Sequence, residues 1–490
     1  MTANLTLDLP TEEDTAALGR ALSALLQAGD TLLLEGSIGA GKSHLARAFI
    51  RARLGEATEV PSPTFTLVQT YPGTPEIWHA DLYRLTHPDE VLELGLEDAF
   101  GTAICLIEWP DRLGRLQPAN PIRLKLEPLG EGRRASLTFG DRVGFAAALT
   151  HAVTTRLRSD QTSAFLATFG WTNATRTRLA GDASVRHYER LSWNDKTAIL
   201  MDAPPGQVDS VADFAKIDRH LLQLGLSAPK ILAEDAKTGF MLLEDLGDGL
   251  YPPLITAHPA LELPLYEAAT DVLIHLQAHA PAPDLPNLSP QGWAEAAALA
   301  IDWYRRAITG DTKGRADLVS ILAETLTRLA DGPRVMILRD YHAENLLWLP
   351  DRQGLARVGL LDFQLAQMGQ PGYDLVSVLQ DARREVPGAT ETAMIHRFAA
   401  AKGTDLATFH AAYAALGAQR ALRIIGIFAK LALHESKRRY IPMIPHVWRQ
   451  LQRNLAHAAL SDLRQVCAQL LPPPTAAALQ KLEDQCGAFR

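Results

Sequence analysis

Cysteine is scarce in this sequence, and long apolar runs are absent from it. The three cysteines, Cys105, Cys467 and Cys486, are far apart and lack metal-ligand spacing, so we expect ordinary reduced thiols. No apolar run approaches the roughly 18 residues of a membrane span. The N-terminal segment has acidic residues and no apolar core of the kind that a signal peptide contains. We therefore expect a cytoplasmic protein that does not cross a membrane.

Positive charge is in deficit as well. The formal net charge of −8 argues against a protein that mainly coats nucleic acid, because such proteins need a basic surface. Apolar residues make up 47% and charged residues 21% of the chain, as in globular proteins. With 490 residues the chain is too long for a single core, and we expect two to four domains.

The chain changes character near its first third. Up to about residue 140, short apolar strands alternate with helical segments, which predicts an α/β domain with a parallel sheet and crossover helices. A helical pattern then ends in polar residues, so we predict a first domain over 1–145, a linker over 146–162 and a second domain over 163–490. The second domain starts with short strands and turns and continues mainly as helices, which predicts an α+β fold with two lobes.

The segment Gly36–Ser43 has the spacing of a phosphate-binding loop. It follows an apolar strand at 31–34 and opens a helix at 42–54, which is the context that this pattern requires. Glycines let backbone N–H groups converge on phosphate oxygens, while the lysine supplies charge and the serine a hydroxyl for Mg²⁺. The predicted nucleotide-binding residues of this loop are Gly36, Gly39, Ala40, Gly41, Lys42 and Ser43.

Two carboxylates end neighbouring strands of the predicted sheet. Asp81 follows the strand at 77–80, a placement that suits the Mg²⁺ shell. Glu108 ends the strand at 103–108, and we predict that it orients the attacking water or holds a water in the outer hydration shell of the metal. Thr64, in a proline-punctuated segment, is a candidate switch residue that senses γ-phosphate or Mg²⁺, with a rigid turn as the alternative.

The loop and four further segments together resemble the TsaE family over about residues 5–140. These segments are Ser62–Phe65, His79–Leu85, Glu93–Leu96 and Glu108–Trp109. The resemblance implies a small P-loop ATPase that helps to make threonylcarbamoyladenosine in tRNA, with TsaD and TsaB as partner proteins and tRNA as an indirect partner. It also implies that Lys42 and Ser43 bind phosphates and Mg²⁺, that Asp81 lies near the metal, and that Glu108 is a metal or water ligand.

A second set of phosphoryl-transfer residues lies three hundred positions later. Asp340 and Asn345 stand five residues apart between two apolar strands, and Asp362 ends a third apolar strand. Kinase-type phosphotransferases use such an Asp to accept the proton of the substrate hydroxyl, and such an Asn and second Asp to bind metal ions. We therefore predict a protein-kinase-like domain with Asp340 as catalytic base and with Asn345 and Asp362 as Mg²⁺ ligands.

The nucleotide side of this second site departs from the protein-kinase pattern. We predict that the hairpin tip at Gly181–Ser184 covers the phosphates through Gly181 and Ser184, although it has one glycine where protein kinases have three. The strand at 197–201 lacks the lysine that protein kinases have at this place. Lys196, Arg186 and Lys216 are alternative sources of the positive charge, and the sequence does not choose among them.

These departures agree with one group of the aminoglycoside phosphotransferase superfamily. The hairpin tip, the catalytic segments, Met201–Pro205 and Gln419-Arg420 resemble the AmgK family of anomeric sugar kinases over about 163–470. The resemblance implies ATP-dependent phosphorylation of N-acetylmuramate and N-acetylglucosamine at the anomeric hydroxyl, in cell-wall recycling. The candidate sugar contacts, each with a structural role as the alternative, are Glu295, Asp302, Trp303 and Arg420, the last for a substrate carboxylate.

Two other functions remain open for the second domain. An aminoglycoside kinase would need clustered acids for its polycationic substrate, and the acids near 295–302 are few. A catalytically inactive binding module would not need Asp340, Asn345 and Asp362, but the missing lysine keeps that alternative open.

Overall fold

The chain forms two compact units, each with its own hydrophobic core. The computed structural model describes residues 4–85, 87–116, 118, 120–179, 186–206 and 210–489. The units are Met1–Thr172 and Asn173–Arg490. None of the helices in the described ranges combines the length and the apolar character that crossing a bilayer requires.

The N-terminal unit is an α/β structure built on one sheet. Its strands are β1 (Asn4–Leu9), β2 (Thr31–Glu35), β3 (Val68–Tyr71), β4 (Ile77–Asp81), β5 (Ile104–Glu108), β6 (Ile122–Leu129) and β7 (Gly132–Thr138). Its helices are α1 (Glu12–Leu25), α2 (Lys42–Leu54), α3 (Leu96–Ala99) and α4 (Phe145–Thr168).

The strand order in this sheet is β1-β7-β6-β2-β5-β4-β3. The central strands β6, β2, β5 and β4 are parallel, as predicted, and β3, β7 and β1 add antiparallel edges. Strand β1 was not predicted, although Leu5, Leu7 and Leu9 alternate along it as a strand pattern would require. Because parallel strands share their carboxyl ends, the ends of β2, β4 and β5 meet at one edge of the sheet.

The division between the units falls later than the sequence indicated. The segment 146–162, predicted as a linker, lies inside α4 and belongs to the N-terminal unit. Leu149 and Val153 of this helix are buried in the N-terminal core. The polar residues that suggested a boundary instead hold α4 to α1, because Asp160 accepts a hydrogen bond from Arg20 at 2.9 Å.

The C-terminal unit begins with strands and continues mainly as helices. Its strands are β8 (Thr175–Arg178), β9 (His187–Trp193), β10 (Lys196–Asp202), β11 (Ile231–Asp235), β12 (Phe240–Glu244), β13 (Val335–Ile337), β14 (Leu346–Trp348), β15 (Val358–Leu360) and β16 (Gln367–Gly369). Its helices are α5 (Val211–Gln223), α6 (Tyr251–Ala257), α7 (Glu262–Leu276), α8 (Pro290–Ala297), α9 (Arg306–Thr309), α10 (Arg315–Leu329), α11 (Tyr373–Leu379), α12 (Gly388–Lys402), α13 (Leu406–Leu433), α14 (Ile444–Leu455), α15 (Ser461–Leu470) and α16 (Ala476–Asp484).

The strands of this unit form one sheet and two short ribbons. The sheet has the antiparallel order β11-β12-β10-β9-β8, and the ribbons are β13–β16 and β14–β15. The helix α13 runs for 28 residues through the helical part and is buried along much of its length. The predicted α/β domain followed by an α+β domain is therefore confirmed.

Candidate active sites

The loop between β2 and α2 turns on three glycines. Gly36, Gly39 and Gly41 have φ angles of 141°, 78° and 101°. A Cβ on Gly36 would lie 2.5 Å from the carbonyl oxygen of Leu126, so glycine is required where the loop passes β6. Helix α2 begins at Lys42, and its first backbone N–H groups therefore point back into the loop. This geometry can cradle a phosphate chain.

Lys42 lies inside this loop. Its Nζ donates hydrogen bonds to the backbone carbonyls of Gly36, at 2.8 Å, and Ser37, at 2.9 Å. The same nitrogen lies 4.1 Å from the centre of the Trp109 ring. Burial lowers the pKa of Lys42, and the carboxylates that end β4 and β5 act in the opposite direction. The ammonium group is thus held by carbonyls that phosphate oxygens can replace.

Glu108 joins the loop to the strand ends. Its Oε2 accepts a hydrogen bond from Ser43 Oγ at 3.1 Å, and its Oε1 lies 3.0 Å from His79 Nε2. Glu108 and His79 are buried, with exposed fractions of 2% and 1%. The carboxylate is therefore fixed in orientation by two partners. The role of His79 was not predicted, although it lies two residues before Asp81 and so on the same face of β4.

Asp81 lies beside Glu108. The two residues are paired in register on the parallel strands β4 and β5. The Oδ2 atom of Asp81 accepts a hydrogen bond from Thr64 Oγ1 at 2.7 Å, and its Oδ1 accepts one from the backbone N of Tyr83 at 3.1 Å. Ser62 Oγ lies 2.8 Å from Thr64 Oγ1. The candidate switch segment is therefore attached to the carboxylate that was predicted to lie near the metal.

The oxygen atoms at this edge suit Mg²⁺. Ser43, Asp81 and Glu108 offer a hydroxyl and carboxylates, the ligands that this ion prefers. In the described ranges, no group of three or more His, Cys, Asp or Glu side chains forms a metal site by itself. Mg²⁺ usually binds through few protein oxygens together with substrate phosphates and water, so the residues present fit the ion.

Arg133 of β7 also contacts the loop. Its Nε donates a hydrogen bond to the carbonyl of Ala40 at 2.8 Å, and its side chain lies against Gly41, where a Cβ would approach it to 2.7 Å. The sequence analysis missed this residue because it lies 93 positions from its partner and belongs to no local motif.

The second site is built on the turn between β13 and β14. Asn345 Nδ2 donates a hydrogen bond to the backbone carbonyl of Asp340 at 2.8 Å, and Leu361 N donates to the carbonyl of Asn345 at 3.0 Å. Asp362 follows directly, with a φ of 56°, and its Oδ1 accepts a hydrogen bond from Gln364 Nε2 at 2.7 Å. The structure thus brings together all three residues that were predicted from their spacing.

The Asp340 side chain is half-buried. None of the described residues donates a hydrogen bond to its carboxylate. Asn345 and Asp362 supply oxygen atoms nearby, which are suitable ligands for Mg²⁺. The catalytic turn therefore presents one carboxylate that is open to a hydroxyl group and two groups that fit a metal ion.

A buried carboxylate of α11 shapes this turn. Asp374 accepts hydrogen bonds from the backbone N atoms of Leu338, at 2.6 Å, and Arg339, at 2.9 Å. Arg339 has a φ of 70°, a strained conformation for a residue with a side chain. Burial raises the pKa of Asp374 to about 7, and the two backbone donors oppose this shift. Asp374 thus holds the backbone that precedes Asp340. The sequence did not indicate this role, because Asp374 lies far along the chain from the turn.

His342 is neutral in this arrangement. Its Nε2 lies 3.4 Å from the donors Asn345 Nδ2 and Arg383 Nη1, so this nitrogen acts as an acceptor. Burial lowers the pKa of His342, while the Asp381 carboxylate acts in the opposite direction. Asp381 also accepts a hydrogen bond from the backbone N of Ala343 at 3.3 Å, which fixes the turn from its other side.

Arg186 lies beside Tyr188, a residue on which the charge of Asp362 also acts. It is 4% exposed and directly precedes β9. Burial raises the pKa of Tyr188 to about 12; a hydrogen bond and the positive charge of Arg186 oppose this shift, and the charge of Asp362 supports it. Arg186, Tyr188 and Asp362 therefore lie close together.

The two alternative cations lie elsewhere. Lys196 starts β10 in the exposed turn beside Trp193, at the far end of the hairpin. Lys216 is half-buried on α5 and donates to the backbone carbonyl of Asp284 at 3.4 Å. Gly181 and Ser184, predicted to cover the phosphates, lie outside the described residues.

Three of the four candidate sugar contacts have partners away from the catalytic turn. Glu295 and Asp302 both form ion pairs with Arg315, each at 2.9 Å. Trp303 packs against His434 and Phe489, at ring-centre distances of 6.1 and 6.2 Å.

Arg420 is different from these three residues. It is 8% exposed and interacts electrostatically with Asp340, so the structure brings this candidate to the catalytic turn.

Comparisons with known proteins divide the chain in the same way. The family described as "Threonylcarbamoyl adenosine biosynthesis protein TsaE" matches residues 9–135, and the "Phosphotransferase enzyme family" matches residues 175–418. The TsaE protein of Rickettsia bellii is 41% identical over 128 residues, which cover 26% of this chain and 88% of that protein.

Two sugar kinases resemble the remainder of the chain. The N-acetylmuramate/N-acetylglucosamine kinase of Caulobacter vibrioides is 37% identical over 355 residues, 64% of this chain and 96% of that protein. The kinase of the same name from Pseudomonas aeruginosa is 33% identical over 305 residues, 59% of this chain and 87% of that protein. The chain is therefore a fusion that belongs to the TsaE family through its N-terminal unit and to the N-acetylmuramate/N-acetylglucosamine kinases of the phosphotransferase enzyme family through its C-terminal unit.

Proposed function

We propose that the chain is a bifunctional enzyme. The N-terminal unit hydrolyses ATP in the pathway that makes threonylcarbamoyladenosine in tRNA. The C-terminal unit transfers a phosphoryl group from ATP to the anomeric hydroxyl of N-acetylmuramate or N-acetylglucosamine, as a step of cell-wall recycling. Relatives with these names match the two parts of the chain over most of their own length. The use of ATP and the role in tRNA modification assign the protein to the cytoplasm.

One observation carries the kinase assignment. The Asp340 carboxylate is half-buried and accepts no hydrogen bond from the described residues, while Asn345 and Asp362 lie beside it. A positioned carboxylate of this kind can accept the proton of a hydroxyl group. This arrangement supports catalysis rather than an inactive binding module.

The proposed transfer is a direct displacement. The anomeric hydroxyl loses its proton to Asp340 as its oxygen forms a bond to the γ-phosphorus of ATP. The bond between that phosphorus and the bridging oxygen breaks, and ADP leaves. Mg²⁺ on Asn345 and Asp362 would neutralise charge on the phosphates. In this proposal His342 remains neutral. Its ring accepts a hydrogen bond from the side chain of Asn345 and so helps to orient that side chain within the turn.

We propose that Arg186 anchors the ATP phosphates in place of the lysine that protein kinases use. Its position beside Tyr188 and Asp362 supports this role, because the phosphates must reach the metal ligand. A guanidinium group has five donors and pairs well with phosphate oxygens. Lys196 and Lys216 lack such a position.

In the N-terminal unit, Lys42 and Ser43 bind the β- and γ-phosphates and Glu108 orients the attacking water. His79 and Ser43 hold the Glu108 carboxylate, which supports a fixed orientation of that water. Mg²⁺ at Ser43 and Asp81 would shield the phosphate charge. Thr64 contacts Asp81, so we propose that the segment around it responds to the nucleotide state. TsaD and TsaB would be the partner proteins that this change of the segment affects.

The kinase proposal is tested by ADP release. Purified full-length protein with Mg-ATP is supplied in turn with N-acetylmuramate, N-acetylglucosamine and kanamycin, and the Asp340→Asn variant serves as the control. We expect release above the basal hydrolysis with both amino sugars and none with kanamycin. Release with kanamycin alone would assign the unit to antibiotic modification, and no acceptor-dependent release would contradict the proposal.

A further inference from the structure

Two arginines on α13 lie one helical turn apart. Arg420 and Arg423 are separated by three positions, which places their side chains on the same face of the helix. Arg420 is 8% exposed and Arg423 is half-buried. Both guanidinium groups are thus partly or wholly withdrawn from solvent.

Neither arginine has a carboxylate partner within the described part of the chain. Arg420 donates one hydrogen bond, from Nη1 to the backbone carbonyl of Gln380 at 2.9 Å, and Arg423 donates none. The two positive charges also repel each other. Burial lowers the pKa of Arg420, and the charge of Arg423 adds to this effect. Arg423 therefore has all of its donors, and Arg420 most of them, free of hydrogen bonds to the described residues, so the pair can bind an anion.

The carboxylates near this pair are not hydrogen bonded to either arginine in the described part of the chain. Asp381 interacts with Arg420 electrostatically, but its two oxygens accept hydrogen bonds from the backbone N atoms of Ala343, at 3.3 Å, and Arg383, at 2.8 Å. Arg383 is itself paired with Glu344 at 2.8 Å. The donors of Arg420 that do not reach the Gln380 carbonyl therefore remain available to a ligand.

The anion site lies beside the catalytic base. Arg420 interacts electrostatically with Asp340 and with His342 of the same turn. If Asp340 accepts the proton of the anomeric hydroxyl, substituents on the neighbouring ring carbons of the sugar lie next to this helix. N-acetylmuramate differs from N-acetylglucosamine by a lactyl ether on ring carbon 3, two carbons from the anomeric carbon. That ether ends in a carboxylate.

We propose that Arg420 and Arg423 bind the lactyl carboxylate of N-acetylmuramate and so determine the preference between the two amino sugars. This inference rests on the proposed sugar-kinase function. An arginine pair suits the task because guanidinium groups form two parallel hydrogen bonds to a carboxylate. N-acetylglucosamine does not use these contacts, so its phosphorylation does not depend on them.

The test compares kcat/KM for both sugars in full-length variants. Arg423→Gln is the main variant because Arg423 has no partner in the described chain and its loss leaves no broken contact. We expect kcat/KM for N-acetylmuramate to fall by about 10- to 100-fold, the effect of losing one hydrogen bond to a charged group, and kcat/KM for N-acetylglucosamine to change by less than about twofold. Arg420→Lys keeps the positive charge but cannot form two parallel hydrogen bonds to a carboxylate. It should therefore lower kcat/KM for N-acetylmuramate by a smaller factor.

The methyl ester of N-acetylmuramate provides a check that does not depend on folding. Esterification should lower kcat/KM in the wild-type enzyme by at least the same factor and have a smaller effect in Arg423→Gln, because one of the two arginine contacts is already lost. The control Arg449→Gln, at an exposed position of α14, should leave both sugars unaffected.

Three results would overturn the inference. Equal losses with both sugars would show a structural role, and an unchanged kcat/KM for N-acetylmuramate would show that the arginines do not contact the lactyl group. A wild-type enzyme that phosphorylates neither sugar would remove the proposed function and this inference with it.

Discussion

The side-chain amide of Asn345 is hydrogen bonded to the backbone carbonyl of Asp340 at 2.8 Å. This contact joins the proposed metal ligand to the backbone of the proposed catalytic base within one turn. Asp374 and Asp381 secure the same turn through backbone N–H groups on either side of it. Hydrogen bonds with three separate side chains therefore hold the backbone of this turn, and we expect the loss of any one of these side chains to impair the kinase site.

The first prediction concerns Asp340→Asn. The amide cannot accept the hydroxyl proton, so sugar phosphorylation should fall by about 100- to 10,000-fold, the range for loss of a general base. The variant should still support threonylcarbamoyladenosine formation in cells that lack their own TsaE, measured by mass spectrometry of tRNA nucleosides. Unchanged sugar turnover would contradict the assignment of Asp340 as the base.

The second prediction concerns Lys42→Ala, which removes the ammonium group held by the carbonyls of Gly36 and Ser37. ATP hydrolysis without sugar should fall by about 100-fold or more, because the phosphates lose their main cation in this loop. Sugar phosphorylation should remain within about twofold of the wild type. Loss of both activities would show that the two sites are coupled.

The third prediction concerns the anchor of the second ATP molecule. Arg186→Met should raise the KM for ATP in the kinase reaction by about 10-fold or more and leave the KM for the sugar nearly unchanged. Lys196→Met is the matched control, because that lysine lies at the far end of the same hairpin. If Lys196→Met had the larger effect, the choice of Arg186 would be wrong.

The fourth prediction concerns stability and pH. Asp218 lies on the buried side of α5, and neither of its carboxylate oxygens has a hydrogen-bond partner among the described residues. Burial raises the pKa of Asp218 to about 7. A raised pKa means that the stability contribution is full below the unfolded-state pKa of about 4 and is lost as the pH rises to about 7. The Asp218→Asn variant cannot ionise and avoids this loss.

We therefore expect Asp218→Asn to melt a few degrees above the wild type at pH 8, a difference that shrinks toward pH 4. Scanning calorimetry of the full chain at both pH values measures it, with Glu324→Gln on an exposed face of α10 as the control. A difference between wild type and Asp218→Asn that did not vary with pH would show that folding does not change the pKa of this carboxyl group, which would contradict the prediction.

The sequence was most informative where the functional residues are close together in the chain. The loop Gly36–Ser43 and the turn from Asp340 to Asn345 carry their chemistry within eight positions or fewer, and flanking strands indicated their context. The same alternation of strands and helices predicted the α/β unit. The antiparallel edge strand β1 was missed because its partner β7 lies more than a hundred residues away.

The residues that sequence reasoning missed act over long distances. Arg133 reaches Ala40 across 93 positions, and Asp374 reaches Leu338 across 36. A pattern in one segment cannot show such contacts, because folding decides which segments meet. For the same reason the ion pairs that Glu295 and Asp302 form with Arg315 could not be predicted from the sequence.

The central claim is that the C-terminal unit phosphorylates the anomeric hydroxyl of an amino sugar. Phosphorus NMR of the full-length protein with Mg-ATP and N-acetylmuramate tests it most directly. The account predicts a new phosphomonoester signal that couples to the anomeric proton and is absent with Asp340→Asn. A product whose phosphorus couples to any other sugar proton, or the absence of a product with both amino sugars, would contradict it.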